Sequence, residues 1–450
     1  MIGNATASAA VRRAVLWRIH FWCALIATPL TLVAALTGIL YVFTPQIEAL
    51  RYAALDHVAS RGAMRPLDDA VAAARAAAPP GWRLQTVFPP FSPDDSVKAL
   101  FDQRAANPVA HEAHGGGHVP PAAVAGAADG GRRASQTLTV YVDPYGASVL
   151  GAMTGEERFG NWAKKLHSRL LQDDGWRWMI ELAASAMTVM LVSGLLLWWP
   201  ATPKQVLPRV DVRGRGAWKQ WHGLLGAALA LLTVTILATG LTWSKYAGAQ
   251  IRTSRDFLGQ APPRAPADAV SAIPHEQAML TWQQVWELTR SRAPAVAVQI
   301  EPPRGLLGVW RMAAADPGKP TRRFDLLLDR FSGRQLYYAG WDQQTVFGKA
   351  TAIGIPFHRG EFGWWNQALL LLFGVGVLFS LLSGWLMFIK RWRPGLPILP
   401  KLPSSAPATW KAAAIPMALA VPVFAWVMPL AGLAAAVIAA CEFAASRRKV

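Results

Sequence analysis

Long apolar stretches alternate with long polar regions along this chain, and the alternation predicts membrane-spanning helices separated by folded outer regions. A helix needs about 20 mostly apolar residues to cross a bilayer. Four stretches are long enough, at 15–43, 166–199, 218–243 and 358–390, and the apolar parts of the second and the fourth begin near Trp178 and Trp364. A fifth stretch at 412–445 contains three prolines and fits either one kinked crossing or a hairpin of two. The pattern predicts a mainly α-helical transmembrane bundle with four core spans.

The two polar regions, 45–163 and 246–356, share one order of predicted elements. Each opens with a helical stretch, and the helical stretches are 67–78 and 282–290. Strand-like runs follow at 83–88, 97–101, 137–142 and 147–150 in the first region, and at 296–300, 309–313, 323–328 and 334–338 in the second. A turn containing Asp and Gly precedes the last run of each region, and we expect its glycine to supply a positive φ angle. Both regions are therefore predicted to be α+β domains of the same design.

The spans repeat as well, and the repeat gives four histidines equivalent positions. Each histidine is followed by a Ser–Gly or Thr–Gly dipeptide, and the spacing to the glycine is 18 residues in two cases and 27 or 26 in the others. The pairs are His20 and Gly38, His167 and Gly194, His222 and Gly240, and His358 and Gly384. Small residues of this kind allow helices or a flat cofactor to approach closely. The chain is thus a tandem duplication of span, outer domain and span.

Composition and charge agree with a membrane protein and predict its orientation. The chain has 450 residues and a formal net charge of +18, but only 16% of its residues are charged, against about 25% in soluble domains. Four short stretches contain 16 Lys and Arg against 2 acidic residues. Two of them lie at the ends of the chain, one lies between spans two and three, and one follows span four. Such stretches face the cytoplasm. Both termini are therefore predicted to be cytoplasmic and both outer regions periplasmic, in a bacterial inner membrane, and binding to nucleic acid is not expected.

This orientation sorts the four span histidines into two pairs. His20 and His222 fall near the cytoplasmic face, whereas His167 and His358 fall near the outer face. Packing the two halves around a pseudo-two-fold axis would bring the members of each pair together. Two opposed imidazoles on separate helices are the axial ligands of a six-coordinate haem b. We therefore predict an inner and an outer haem; simple interfacial anchoring of the histidines, and a His167–His222 pairing that only depth disfavours, stay open as alternatives.

Basic residues beside these histidines are candidate partners for the haem propionates. They are Arg18, Lys219, Arg169 and Arg359, and each could instead serve only as a topology determinant. The cytoplasmic stretches are too short for a flavin or nicotinamide domain. Electrons would therefore come from a separate cytoplasmic protein or from a membrane quinol.

A histidine-rich insert at 107–135 interrupts the first outer region. His111, His114 and His118 form the sequence HEAHGGGH, and imidazole clusters bind transition metals. The glycine run argues against a preformed site and favours a disordered loop. The three histidines are at most weak metal ligands.

The motifs around the spans resemble the PepSY-associated transmembrane family of bacterial inner-membrane proteins. The matching segments are WRIHFWCALIATPLTLVAALTGILYVF, LHSRLLQ, VSGLLLWWP, WKQWHGLLG, ATGLTW, PFHRGEFGWWNQ and LLSGWLMFIKRW. The resemblance covers about residues 15–393 and implies that both outer regions are PepSY domains. It also implies that His20, His167, His222 and His358 are haem ligands, since they match the histidines of the family's spans.

Family members include haem-containing reductases that reduce ferric siderophores in the periplasm and release ferrous iron. The resemblance therefore implies an oxidoreductase that acts on a ferric siderophore or another ferric chelate, supplied by a TonB-dependent uptake system. Two other functions remain. The chain could be a non-enzymatic anchor that presents PepSY domains to a transporter or peptidase, or a permease for metal or siderophore. Permeases often contain broken helices, and the pattern predicts none in the four core spans.

Overall fold

The computed structural model describes residues 2–103, 137–200, 202, 206–272, 278–392, 422 and 425–436, with side chains described from residue 13 onward. The chain forms two compact bodies. We call Met1–Val42, Lys165–Leu258 and Trp364–Val450 the membrane body, and Phe43–Lys164 with Gly259–Gly363 the sheet body.

Twelve α-helices lie between residues 2 and 391, and further helical residues are described at 425–427 and 429–436. In chain order they are α1 (Ile2–Val42), α2 (Thr44–Arg51), α3 (Ala53–Asp56), α4 (Leu67–Ala77), α5 (Phe159–Arg169), α6 (Trp178–Trp198), α7 (Arg215–Ala228), α8 (Ala230–Leu241), α9 (Tyr246–Phe257), α10 (Trp282–Arg292), α11 (Val346–Arg359) and α12 (Trp364–Arg391). Short 3-10 turns lie at Asp174–Arg177 and Pro320–Arg322.

Three helical segments of the described chain are long and apolar enough to cross a membrane: Arg13–Val42, Asp174–Trp198 and Trp364–Arg391. The pair α7 and α8 is a fourth candidate, but it is bent by 57°. The break falls at Leu229, and this corrects the expectation of unbroken core spans. Neither proline nor glycine occurs at the break, so the local sequence gives no signal for it.

The apolar parts of the second and fourth spans begin at Trp178 and Trp364, as predicted. The wider range 166–199 is not one helix, because α5 ends at Arg169 and the next two residues, Leu170 and Leu171, have φ angles of 54° and 64°. The Asp173 carboxylate then accepts a hydrogen bond from the Gly175 N–H and starts a new turn. Similarly, 358–390 divides into the end of α11 and the whole of α12, because Gly360 and Gly363 adopt φ angles of 76° and 88°.

In the described residues, eight strands form the sheet of this body, and their ends lie within two residues of the predicted runs, except that the last strand of the first region ends at Thr154. The strands are β1 (Arg83–Phe88), β2 (Val97–Asp102), β3 (Thr137–Val142), β4 (Val149–Thr154), β5 (Val298–Glu301), β6 (Trp310–Ala314), β7 (Asp325–Leu328) and β8 (Gln335–Ala339).

All eight strands belong to one antiparallel sheet rather than to two separate ones. Its order is β4-β3-β2-β1-β5-β6-β7-β8, so each polar region contributes one half. The two halves meet where β1 pairs with β5, with Val87 opposite Ile300. A single core then runs through both halves, and it includes the buried side chains of Phe101, Trp310 and Phe324. Burial of each such side chain contributes about 1.5–3 kcal/mol.

The helices α4 and α10 cover this core and also bind each other at their first turns. The Asp68 carboxylate accepts hydrogen bonds of 3.0 Å from the backbone N–H groups of Trp282 and Gln283. The Gln283 side chain in turn accepts a bond from the Leu67 N–H. Free N–H groups at helix starts favour a carboxylate there, so these contacts join the two halves.

The aspartate turns correct one prediction about glycine. In each turn the fifth residue donates its N–H to the carbonyl of the aspartate, Ala147 to Asp143 and Gly333 to Asp329. That fifth residue has the positive φ, which is 53° in Ala147 and 67° in Gly333. Gly146 is the fourth residue of its turn and does not take this role. The common position, rather than the residue type, fixes the geometry.

Candidate functional site

Helices α1, α6, α7 and α12 bring two of the sequence-predicted histidines together in the membrane body. α1 packs against α6 and α12, and α7 packs against the same two helices. His20 on α1 and His222 on α7 lie across from each other, with ring centroids 6.3 Å apart and ring planes at 85°. The sequence repeat thus corresponds to a pseudo-symmetric pair of histidines.

The distance between the rings suits coordination of a single metal ion from two sides. Two metal–imidazole bonds of about 2 Å, with about 1.1 Å from each ligating nitrogen to its ring centre, place the centroids about 6 Å apart. The observed 6.3 Å fits this requirement. The spacing of His20 and His222 would allow the two imidazoles to hold the iron of one haem.

The hydroxyl of the Ser–Gly or Thr–Gly dipeptide contacts the Nδ1 atom of three histidines. His20 Nδ1 lies 3.1 Å from Ser193 Oγ, and His222 Nδ1 lies 2.8 Å from Ser383 Oγ. On the other side of the membrane body, His167 Nδ1 lies 3.0 Å from Thr37 Oγ1. The sequence indicates these dipeptides only as small residues for close packing and gives no signal for the hydrogen bonds. In all three histidines Nε2 is left as the second ring nitrogen for a ligand.

The glycine of each dipeptide gives room to the same imidazole ring. A Cβ atom built on Gly194 would lie 3.1 Å from His20 Cε1, and one on Gly38 would lie 3.3 Å from His167 Cε1. The corresponding distance from Gly384 to His222 Cε1 is 3.9 Å. The glycines therefore accommodate the histidine rings, in addition to any role in helix packing.

A cavity of about 450 Å³ contains the His20–His222 pair. This volume lies within the usual range of about 300–1,000 Å³ for ligand pockets. Its walls are mostly apolar and include Trp17, Phe21, Trp198, Trp385 and Phe388. The volume and the lining fit an apolar macrocycle held between helices.

Four basic side chains line the same cavity: Arg13, Arg215, Lys219 and Arg391. Lys219 was a sequence-predicted propionate partner, whereas Arg18 is not part of the lining. The other three were missed, although Arg13 and Arg215 each lie seven residues, about two helical turns, before a ligand histidine. Their spacing in the repeat was the available signal. Two imidazoles, apolar walls and several cations form a set of residues that fits a haem with its anionic propionates.

The surroundings of His167 differ from those of the inner pair. The cavity beside it has a volume of about 20 Å³ and is also lined by Arg169. Arg169 forms an ion pair with Asp174, so its charge is already partly balanced by a protein carboxylate. His358 lies in the last turn of α11, in the sheet body. The pairing of His167 with His358 stays a prediction of the sequence repeat.

Arg359 also has a carboxylate partner, at the end of α11. Its guanidinium lies 2.7 Å from Glu361. Burial raises the pKa of Glu361 to about 7, although the positive charge of Arg359 acts in the opposite direction. Like Arg169, Arg359 would have to share its charge with a propionate.

Glu181 is a buried acid in the second span that proves to have a structural role. Its two carboxylate oxygens accept bonds of 2.8 Å from the N–H groups of Tyr246 and Ala247. These groups belong to the first turn of α9, where a carboxylate is favoured. Glu181 therefore fixes the start of α9 against α6.

The remaining sequence-predicted ligands lie outside the described residues. His111, His114 and His118 fall within 104–136, and most of the stretch 412–445 is likewise not described, including the choice between one and two crossings. In the described part of the chain, no group of three or more His, Cys, Asp or Glu could hold a metal ion. A haem needs only two protein ligands, since the porphyrin supplies four.

Comparison with known families identifies the family of this chain. The model of the PepSY-associated TM region matches residues 17–391. The chain therefore belongs to this membrane-associated family, as the sequence motifs predicted. A search of curated proteins gives no match.

Proposed function

We propose that this protein is a di-haem b reductase of the bacterial inner membrane. It passes electrons from a cytoplasmic protein or a quinol to a periplasmic ferric siderophore or other ferric chelate, and ferrous iron is released for uptake. The observation that carries the proposal is the His20–His222 pair, with centroids 6.3 Å apart in a cavity of about 450 Å³. When bound, haem supplies reversible one-electron chemistry at its iron.

At the inner site, His20 and His222 are the proposed axial ligands. The four basic side chains at this cavity, Arg13, Arg215, Lys219 and Arg391, stabilise the propionates. The apolar walls exclude water and limit changes in solvation when the iron changes charge. The protein thus orients the cofactor and sets its potential through ligands and surroundings.

At the outer site, His167 and His358 are the proposed ligands. His167 shares with His20 and His222 the contact between Nδ1 and the hydroxyl of a small dipeptide. This likeness supports the same role for all three. His358 is proposed as the second ligand because it occupies the position equivalent to His167 in the repeat, beside Arg359.

The proposed topology has four core spans, cytoplasmic termini and periplasmic outer regions. The distribution of Lys and Arg supports it. The four strands and one covering helix that each region contributes to the sheet support two PepSY-like domains that share one sheet. This arrangement would place substrate reduction at the periplasmic face, near the outer haem.

One observation favours a second candidate, a permease for metal or siderophore. The 57° bend at Leu229 resembles the broken helices of transporters. Close packing of the Leu229 side chain against Gly376 accounts for the bend equally well. The contact is so tight that a Cβ atom built on Gly376 would lie 2.1 Å from the Leu229 side chain. The bend therefore does not require a transport function.

Electron transfer across a sealed membrane separates the candidates. Haem-loaded protein in liposomes with dithionite trapped inside should reduce an external ferric chelate, with one electron consumed per iron, and a ferrous-specific dye should report the product. Liposomes with haem-free protein serve as the control. A permease would instead move the iron chelate inward without haem, and an anchor would do neither. Absence of external reduction by the haem-loaded protein would contradict the proposed function.

A further inference from the structure

We propose that the hydroxyls of Ser193, Ser383 and Thr37 are positioning groups that fix the tautomer and the ring orientation of the haem-ligating histidines. The inference rests on the proposed function and extends it to three residues that are not ligands themselves. Each hydroxyl contacts Nδ1 of one histidine, as described above. The effect of each hydrogen bond on the histidine depends on which of the two atoms carries the proton.

At the inner site, the hydroxyl proton of Ser193 is already committed. Ser193 Oγ donates to the carbonyl of Val189 at 2.7 Å, one helical turn earlier. A serine hydroxyl has one proton and two lone pairs. With its proton on that carbonyl, the oxygen accepts from His20, and the neutral imidazole then carries its proton on Nδ1. The lone pair of His20 is then on Nε2, where a metal ion requires it.

The same arrangement occurs at two further histidines. Thr37 Oγ1 donates to the Val33 carbonyl at 2.7 Å and lies 3.0 Å from His167 Nδ1. Ser383 Oγ donates to the Ser380 carbonyl at 3.1 Å and lies 2.8 Å from His222 Nδ1. Three sites in two halves of the chain thus share one arrangement, in which the imidazole contacts a hydroxyl and also a backbone carbonyl of the same helix, that of Met190, Ala34 or Ser380. Serine and threonine both support it.

The neighbouring glycine completes the orienting unit. The hydroxyl holds one edge of the ring, and Gly194 or Gly38 lets Cε1 approach the helix backbone. The imidazole ring is thereby held along its Nδ1–Cε1 edge, next to the Nε2 atom that would bind the metal. The 85° between the planes of His20 and His222 is then set by Ser193 and Ser383 rather than by the cofactor.

An imidazole whose Nδ1 proton is donated to an acceptor is a stronger base at Nε2 and stabilises ferric iron more than ferrous iron. Loss of the acceptor should raise the midpoint potential of the bound haem. Partners of metal-bound histidine typically change metal affinity about 10–100-fold when removed. A tenfold change in the ferrous-to-ferric stability ratio corresponds to about 59 mV for one electron.

The test compares Ser193→Ala with two matched variants of the full-length protein. Ser193→Thr retains the hydroxyl, as Thr37 does at the outer site. Ser185→Ala removes another buried hydroxyl of the same helix, one that has no partner in the described residues. The readouts are the potential of the inner haem, its low-spin ferric EPR signal, which depends on the angle between imidazole planes, and the apparent haem affinity. The outer haem of the same molecule reports correct folding.

We expect Ser193→Ala to raise the inner-haem potential with up to a tenfold change in the stability ratio, to change its EPR signal and to weaken haem binding about tenfold or more. Ser193→Thr and Ser185→Ala should resemble the wild type. An unchanged potential and EPR signal in Ser193→Ala, or an equal change in Ser185→Ala, would overturn the inference. If Ser193→Ala loses both haems, Ser383→Ala decides by the same criteria. Wild-type protein without any haem would instead refute the proposed function.

Discussion

Replacing His222 with alanine is expected to lower the haem content from two per chain to one. The reason is that His222 and His20 form the only pair of facing imidazoles in the described residues of the large cavity. Without one axial ligand, the inner haem loses a coordinate bond and the cavity loses a polar group. A pyridine haemochrome assay, normalised to protein concentration, measures the loss directly.

The matched control for this variant is His57→Ala. His57 lies in the sheet body, with 53% of its side chain exposed, and contacts only surface aspartates among its ion-pair partners. This variant should retain both haems. Two haems per chain and an unchanged visible spectrum in His222→Ala would contradict the assignment of the inner ligands.

Replacing Arg158 with leucine is expected to destabilise the sheet body by about 2–4 kcal/mol. Its guanidinium lies between two acidic side chains and a tyrosine: it donates to Asp56 at 2.8 Å, to Glu48 at 3.2 Å and to the Tyr141 hydroxyl at 2.7 Å. The side chain is only 22% exposed. Removing one member of a buried ion pair costs about 3–5 kcal/mol, and the partial exposure reduces this figure.

The effect of Arg158→Leu should depend on pH. Burial tends to raise the pKa of Asp56, but the hydrogen bond from Arg158 and the charge of Lys98 outweigh it, so the pKa lies below its ordinary value. A carboxyl with a lowered pKa stabilises the fold above its unfolded pKa, and this stabilisation is lost as the pH falls through the folded pKa. The difference between wild type and variant should therefore be largest at neutral pH and shrink in acid.

Hydrogen exchange of the β3 amides around Tyr141 measures this local stability within the intact protein. The control is Arg75→Leu, which removes an exposed arginine of α4 from the same body. Arg75→Leu should leave the exchange of β3 unchanged. Equal exchange rates in wild type and Arg158→Leu at neutral pH would show that the ion-pair cluster contributes little.

The periodicity of the sequence predicts the helices and strands well, but it does not predict which strands pair across the two polar regions. Strands β1 and β5 were both expected, but the residues that join them, Val87 and Ile300, are far apart in the sequence. A strand pattern shows which face is buried, and not which edge finds a partner. The single eight-stranded sheet therefore followed only from the structure. The bend at Leu229 was not predicted for a related reason: it is associated with tight packing against Gly376, and no helix-breaking residue marks it in the sequence.

In the candidate site, the repeat identified the histidines, while their surroundings required three-dimensional contacts. Internal symmetry placed His20 and His222 at equivalent positions, and the structure brings them together. The roles of Ser193 and Ser383 were hidden because a small residue beside glycine in a membrane helix is usually a packing residue. The hydrogen bond to Nδ1 becomes visible only when the partner helix is in place.

The central claim is that the four span histidines bind two haems, and the optical spectrum of the purified protein tests it most directly. Protein from haem-replete cells should show a Soret band, and dithionite should produce the sharp α and β bands of low-spin haem b. The pyridine haemochrome should give two haems per chain. A colourless preparation, with no Soret band before or after reduction, would contradict the account.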